Sequence, residues 1–195
     1  MKNSKLLIGA GVIVVALLLF VLASFNGLVQ KDQAVTSAWA QVEADYQRRS
    51  DLVPNLVSTV KGAAAFETST FLAVTEARAK ATSIQIDPTK LTAENIAAYE
   101  QAQTGLSGAL GKLLVIAENY PALTATESFR GLQTQLEGTE NRIAVSRKDF
   151  NGAVQAYNVS TKTFPNSLIA SLFGFVPKAY FESVTGSENA PQVNF

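Results

Sequence analysis

The 195-residue chain contains 16 Lys and Arg and 16 Asp and Glu. Because positive charges are not in excess, the composition gives no support for nucleic-acid binding. Lys2 and Lys5 precede an apolar stretch, which leaves 14 basic and 16 acidic groups, a net charge of −2, on the rest of the chain. The sequence contains no Cys and no His, which excludes disulfides, thiolate chemistry, Cys/His zinc sites and Ser-His-Asp triads.

The first predicted element is a membrane anchor, residues 1–27. Residues 6–25 are apolar, without charge or proline, and about 20 such residues suffice for a helix to cross a bilayer. The run is longer than a signal-peptide core and no A-x-A site follows it, so we expect it to be retained and to contact lipid. Lys2 and Lys5 before the run favour a cytoplasmic N-terminus and an extracytoplasmic C-terminal domain.

Residues 28–163 are predicted to form an elongated antiparallel helical bundle, which makes the protein all-α. Its first helix runs from about Leu28 to Arg49 and can continue the anchor directly. Two interpretations of Pro54 stay open. Either Asp51 caps a new helix with Pro54 in its first turn, or Pro54 kinks one very long helix.

The later helices are bounded by a linker and a proline break. The second pattern ends at the linker of residues 84–89, and Thr92 is a plausible cap for a helix that reaches Glu118. After the break at residues 119–121, Thr124-x-x-Glu127 matches a capping box that opens the last long helix.

The last long helix carries a seam close to a heptad repeat, typical of coiled coils. Its apolar positions are Phe129, Leu132, Leu136, Ile143, Phe150 and Tyr157, and its small positions are Thr139, Ser146 and Ala153. The glycines at Gly105-x-x-Gly108-x-x-Gly111 also indicate close helix contact and not a phosphate loop, because no strand precedes them.

Residues 164–195 are predicted to form a short apolar helix and an extended tail. Lys178 is the only charged residue between Phe164 and Phe181. The preferred interpretation is a helix that caps one end of the bundle with its apolar face buried. The alternative is a segment lying in the lipid headgroups beside the anchor, although it lacks the basic polar face that is usual for such helices.

Several segments together resemble the LemA family of membrane-anchored helical proteins. They are AWAQVEADYQRRSDLVPNLVSTVKG (38–62), AENYPAL (117–123), TENRIAVSRKDFNGAV (139–154), YN (157–158) and FPNSLIASLFGF (164–175). The resemblance implies one N-terminal membrane segment followed by a helical bundle, and it implies no reaction. The chain departs from the family at Phe66-Glu67, where a His-Glu pair is common, and at Phe150, where tyrosine is usual.

Polar residues on the predicted helices are the candidate structural or interaction sites. They are Arg48, Arg49, Asp51, Pro54, Asn55, Glu67, Arg78, Glu118, Asn119, Glu140, Asn141, Arg142, Arg147, Asn151 and Asn158. We expect six of them to form a layer of salt bridges and hydrogen bonds that fixes helix register: Glu67, Arg78, Glu118, Glu140, Arg142 and Arg147. The less favoured alternative is a carboxylate metal site built from Glu67, Glu118 and Glu140.

Two smaller groups have specific expectations. Arg48 and Arg49 lie about 100° apart on a helix, so both cannot face inward, and a structural role beside Pro54 is preferred over a binding site. Asn151 and Asn158 are seven residues apart, and we expect them to hydrogen-bond across the bundle. No catalytic residue, cofactor site or metal site is assigned.

The sequence favours a non-enzymatic, membrane-anchored helical scaffold or interaction protein, oligomeric and located at the cell envelope. Its expected partners are membrane lipid, contacted through residues 6–25, and either a second copy or another membrane protein. The alternative is an adaptor for an envelope-stress or membrane-protease system, and the least favoured hypothesis is a carboxylate metal-binding protein.

Overall fold

In a computed structural model of the chain, residues 2–63 and 68–182 are described. Within these two stretches all regular structure is helical, which confirms the all-α prediction. The helices are α1 (Lys2–Ala63), α2 (Thr68–Ser83), α3 (Ala93–Ala117), α4 (Pro121–Thr124), α5 (Glu127–Lys162) and α6 (Asn166–Phe173).

The anchor and the first bundle helix form one uninterrupted helix, α1. The most apolar 18-residue window of α1 has a mean hydropathy of 2.8, and none of it is buried within the protein. By length and composition α1 can therefore cross a membrane once. Neither the predicted boundary at residue 27 nor Pro54 interrupts the helix, so the interpretation with a new helix capped by Asp51 is wrong.

The described residues divide into two compact units. The anchor unit contains residues 2–48, 88–90 and 139–178, and the second unit contains residues 49–63, 68–87, 91–138 and 179–182. Helices α1 and α5 each contribute residues to both units.

The anchor unit is built on the seam that the sequence predicts. On α5, Ile143, Phe150 and Tyr157 are buried at heptad spacing. On α1, Trp39 is fully buried and meets the Phe150 ring edge to face, with ring centroids 5.5 Å apart. Of the small positions of the predicted seam, Thr139 and Ser146 are also buried, and Ala153 is half-buried.

The second unit has its own apolar core. Helices α1, α2, α3 and α5 contribute to it, and α4 adds Leu123. The fully buried members include Val60, Val74, Leu106, Leu113 and Ala117.

Two of the predicted helix starts can be compared with the structure. The hydroxyl of Thr92 accepts a hydrogen bond from the backbone N–H of Asn95 at 3.2 Å, which confirms Thr92 as the cap of α3. The predicted cap Thr124 is wrong, because it belongs to α4 and the hydroxyl of Thr126 instead accepts from the N–H of Phe129. The extra helical turn that starts at Pro121 moves the start of α5 by two residues.

The glycines of α3 do not make the predicted close contact with any other described residue. Gly105, Gly108 and Gly111 are exposed, and a Cβ at each would meet no atom within 4 Å.

Candidate functional site

Lys178 forms the polar centre of the anchor unit. Its side chain is only 5% exposed, and its Nζ lies 2.7 Å from Oδ1 of Asp32 on α1. The same Nζ donates to the carbonyl of Pro88 at 3.2 Å and lies 5.4 Å from the centroid of the Tyr157 ring. A buried ammonium is tolerated only when it is paired and hydrogen-bonded, and this arrangement meets both conditions.

The side chain of Asn158 fixes the backbone of the same segment to α5. Its Nδ2 donates to the carbonyl of Lys178, and its Oδ1 accepts from the N–H of Lys178, both at 2.8 Å. This pair of bonds satisfies an irregular backbone that has no helical partners of its own. We call Asp32, Asn158, Tyr157 and Lys178 together the clasp.

Tyr157 completes the clasp. Its hydroxyl donates to the carbonyl of Val176 at 3.0 Å. Burial, with a smaller contribution from the nearby negative charge of Asp32, raises the pKa of Tyr157 to about 12. Tyr157 therefore remains a neutral donor throughout the physiological pH range.

Helix α6, which lies between Asn158 and Lys178 along the chain, packs against the end of the apolar part of α1. Leu28, Ile169 and Ala170 are buried together, with Val21 and Phe25 packed against them. The Phe25 ring meets Phe173 with centroids 4.9 Å apart and Phe175 with centroids 5.7 Å apart. The predicted burial is limited to this side of α6, because Leu168 and Leu172 are exposed.

Gly174 allows the chain to turn back after α6. Its φ of +76° lies in the left-handed region that favours glycine, and its N–H and that of Phe175 both donate to the carbonyl of Ala170. This turn brings Phe175 to Phe25.

In the second unit, Arg78 compensates for Pro54. A proline has no N–H, so Pro54 cannot donate to the carbonyl of Ser50, four residues earlier on α1. The Nε of Arg78 on α2 donates to that carbonyl at 2.9 Å. The two candidate residues Pro54 and Arg78 thus belong to one feature, which helps α1 to continue through a proline.

Arg49 connects α1 to α3 in the second unit. Arg49 is buried, whereas Arg48 is exposed, as their 100° separation requires. Nη2 of Arg49 donates to the backbone carbonyl of Gln103 at 3.0 Å and to its Oε1 at 2.7 Å, while Nη1 donates to the hydroxyl of Ser107. Gln103 in turn donates from Nε2 to the carbonyl of Ala81 at 3.1 Å, which adds α2 to the network.

The remaining candidate residues are more exposed. Arg142 lies 3.9 Å from Asp45 and donates to the Thr139 hydroxyl at 2.9 Å, beside an open groove of about 290 Å³ that Asn141 also lines. The exposed candidates are Asp51, Pro54, Asn55, Glu118 and Asn119, and the half-buried ones are Glu140, Arg147 and Asn151.

The three carboxylates of the alternative metal site do not all lie in one described unit. Glu67 lies outside the described residues. Glu118 belongs to the second unit and Glu140 to the anchor unit. Across the described stretches no group of three or more His, Cys, Asp or Glu side chains is placed to hold a metal ion.

Several residues that make tertiary contacts in the structure were not among the candidate sites predicted from the sequence. Asp32, Gln103, Tyr157 and Lys178 all make contacts between segments distant in sequence. The isolated charge of Lys178 in an apolar stretch was a usable signal for burial, whereas Gln103 sits in an alanine-rich helix without any such signal. Glu43 was also missed: burial raises the pKa of its carboxyl, and the nearby Trp39 side chain partly opposes this.

These features define a membrane-associated all-α protein with one helix suited to span the bilayer and two helical units held by buried polar contacts. Comparison with known proteins agrees. A sequence profile of the LemA family matches residues 38–195, so the chain belongs to the LemA family and the resemblance in the sequence is confirmed.

Individual relatives are distant but cover most of the chain. Magnetosome protein MamQ 2 of Paramagnetospirillum magneticum is 27% identical over 186 residues, covering 87% of this chain and 68% of that protein. Magnetosome protein MamQ of Magnetospirillum gryphiswaldense is 28% identical over 184 residues, covering 86% and 68%. Protein LemA of Metamycoplasma hominis is 21% identical over 158 residues, covering 81% and 68%.

Proposed function

We propose that this protein is a non-enzymatic, membrane-anchored scaffold that self-associates at the cell envelope. The observation that carries the proposal is the use of the buried polar side chains. Helices and the C-terminal segment are held together by the hydrogen bonds and the ion pair of Lys178, Arg49 and Asn158. Because these buried groups hold the helices in a fixed arrangement, the exposed faces of the helices form a stable surface for assembly.

A stripe on the outer face of α5 supports self-association. Val145, Gly152, Ala156 and Val159 recur at coiled-coil spacing on the side of α5 away from its buried seam. Val145 is 59% exposed and Val159 is 57% exposed, with small residues between them that allow a neighbouring helix to approach. We call these four residues the outer stripe.

The orientation follows from the charges that flank the span. Lys2 and Lys5 precede the apolar run, and Lys31 beside Asp32 follows it, so we propose a cytoplasmic N-terminus and extracytoplasmic helical units. A reporter active only outside the cytoplasm, fused after Phe195, should be active. A fusion that is expressed but silent reverses the orientation.

The native mass of the full-length protein, gently solubilised from its own membranes, tests the scaffold. We expect a discrete multiple of the 20.8 kDa chain without another protein in stoichiometric amount. A stoichiometric second protein would instead favour the adaptor hypothesis, and a monomer would contradict both.

A matched pair of double variants tests the outer stripe itself. Val145→Glu with Val159→Glu places two like charges on the stripe and should reduce the native mass to that of the monomer. The control, Ala144→Glu with Gln155→Glu, adds the same charges on an exposed neighbouring side of α5 and should leave the mass unchanged. Loss of assembly in both pairs, or in neither, would show that the outer stripe is not the contact.

A further inference from the structure

We propose that α6 inserts its exposed apolar face into the lipid interface beside the membrane span, so that the protein contacts the bilayer twice. This inference goes beyond the proposed scaffold function and does not depend on self-association. It rests on where α6 is docked, on what it leaves exposed, and on the absence of free charge in the segment.

The docking site of α6 sets its depth. Val21 and Phe25 belong to the apolar run that spans the membrane, and both pack against the cluster that buries Ile169 and Ala170. With a rise of 1.5 Å per residue, Val21 and Leu28 are only about 10 Å apart along α1. A helix that touches this part of α1 therefore lies at the boundary between hydrocarbon and headgroups.

The side of α6 away from α1 is apolar and exposed. Leu168 is 62% exposed and Leu172 is 75% exposed, and their spacing of four residues places them on one face of the helix. The apolar character continues beyond this pair: Phe173, the last residue of the helix, is exposed, and so are Phe164 before the helix and Val176 after it. Monomeric soluble proteins rarely expose a contiguous patch of this kind unless it serves as a contact surface.

Continuity with the span identifies lipid as the occupant. The exposed side chains of the span, from Ile8 to Leu22, face hydrocarbon once the anchor is in the membrane. The α6 patch begins where that surface ends, because Phe173 and Phe175 touch Phe25. A soluble partner would have to reach this patch at the level of the headgroups, where lipid is already present.

The charge of the segment fits apolar insertion. Residues 166–173 contain no charged side chain, and Lys178 is buried against Asp32. Interfacial helices that must find a membrane alone rely on a basic face, but α6 is delivered to the membrane by the anchor and needs no such attraction. The contact should therefore depend little on anionic lipid or on salt.

Single-cysteine spin labels on the full-length protein in liposomes test the proposal, because the chain has no native cysteine. Leu172→Cys labels the exposed face of α6. Ala40→Cys labels an exposed site on α1, about 22 Å beyond Phe25 along the helix. Leu168→Cys labels the same exposed face of α6 one turn earlier, so residues 168 and 172 should respond alike.

Collisions with oxygen, which concentrates in lipid, are compared with collisions with a water-soluble nickel chelate. We expect the oxygen-to-nickel ratios at residues 168 and 172 to be several-fold higher than the ratio at residue 40, at a depth of about 5–10 Å. The ratio should be the same in liposomes with and without anionic lipid, and at low and high protein density.

Three results would overturn the proposal. Equal ratios at residues 172 and 40 would place the patch in water, and a high ratio at only one of residues 168 and 172 would show that they do not share an inserted face. Protection of residue 172 that grows with protein density, with broadening between labels, would show that a second copy covers the patch. That last result would overturn lipid insertion while leaving the scaffold proposal intact.

Discussion

Each of the two units has a buried cation among its described side chains, and the two cations are held in different ways. In the anchor unit, Lys178 comes from a non-helical segment and its charge is matched by the carboxylate of Asp32. In the second unit, Arg49 comes from the middle of α1, and its guanidinium donates to Gln103 and Ser107 on successive turns of α3.

The difference follows from the chemistry of the two side chains. A lysine ammonium is a compact charge on a flexible stem, so it suits a segment that must be tied down at one point. A guanidinium presents several donors in a rigid plane and can bridge separate acceptors along a helix. We therefore expect Arg49 to set how α1 meets α3, and Lys178 to decide whether the C-terminal segment stays attached to α1.

The largest effect should come from Arg49→Ala. Removal of the Arg49 side chain leaves the buried acceptors of Gln103 without this donor and creates a cavity, so it should lower the free energy of unfolding by about 3–5 kcal/mol. Urea unfolding of the full-length protein in detergent micelles, followed by circular dichroism, measures this. Arg48→Ala is the matched control, and because Arg48 is exposed we expect a change within about 0.5 kcal/mol. Equal effects of the two variants would contradict the role of Arg49.

A smaller effect is expected for Lys178→Met, which keeps an unbranched side chain only one atom shorter but removes its charge. Asp32 is partly exposed and can be rehydrated, so we expect a loss of about 2 kcal/mol. The single tryptophan, Trp39, lies in the core of the anchor unit, and its fluorescence reports the unfolding of that unit. Lys162→Met, at an exposed site, is the control. If Asp32→Asn and Lys178→Met are fully additive, the ion pair does not stabilise the unit.

The compensation of Pro54 by Arg78 gives a third test within the second unit. Arg78→Ala should cost about 1–2 kcal/mol, because the carbonyl of Ser50 loses its described donor. In a Pro54→Ala background, the N–H of the new alanine can bond that carbonyl, and the cost of Arg78→Ala should fall to less than half. A cost that is the same in both backgrounds would show that Arg78 stabilises α1 for another reason.

The smallest effect is that of Tyr157→Phe, about 1 kcal/mol near neutral pH, from the lost bond to the Val176 carbonyl. Its pH dependence is more specific. The folded pKa of about 12 lies above the ordinary value of 10, so the unfolded state releases its proton first. The stability of the wild type should therefore be complete below pH 10 and fall as the pH rises towards 12. The denaturant midpoint of unfolding, followed by Trp39 fluorescence, should fall less steeply over this pH range in the variant than in the wild type. The same slope in both proteins would contradict the role of Tyr157.

The fold was predictable where one side chain pattern repeats over many turns. The apolar run of the anchor and the heptad positions Phe150 and Tyr157 are visible because burial demands the same residue type at each turn. The start of α5 was misplaced because both Thr124 and Thr126 can cap a helix, and the choice depends on the extra turn α4.

The site was less predictable because its contacts join segments far apart in sequence. Arg49 was identified as a candidate, but its partner Gln103 lies 54 residues away in α3. Pro54 and Arg78 were both noticed separately. Their connection through the carbonyl of Ser50 requires the positions of two helices, which periodicity alone does not supply.

The order of the segments along the chain has a consequence for biosynthesis. Almost all of the second unit lies between residues 49 and 138 of the chain. The anchor unit, by contrast, needs residues 139–178 to cover the face of α1 that carries Trp39. At about 5–20 residues per second, the 90 or so intervening residues take roughly 5–20 s to synthesise. During that interval the half-finished anchor unit presents apolar surface next to the membrane, and it can be completed only when the segment that contains Lys178 emerges from the ribosome.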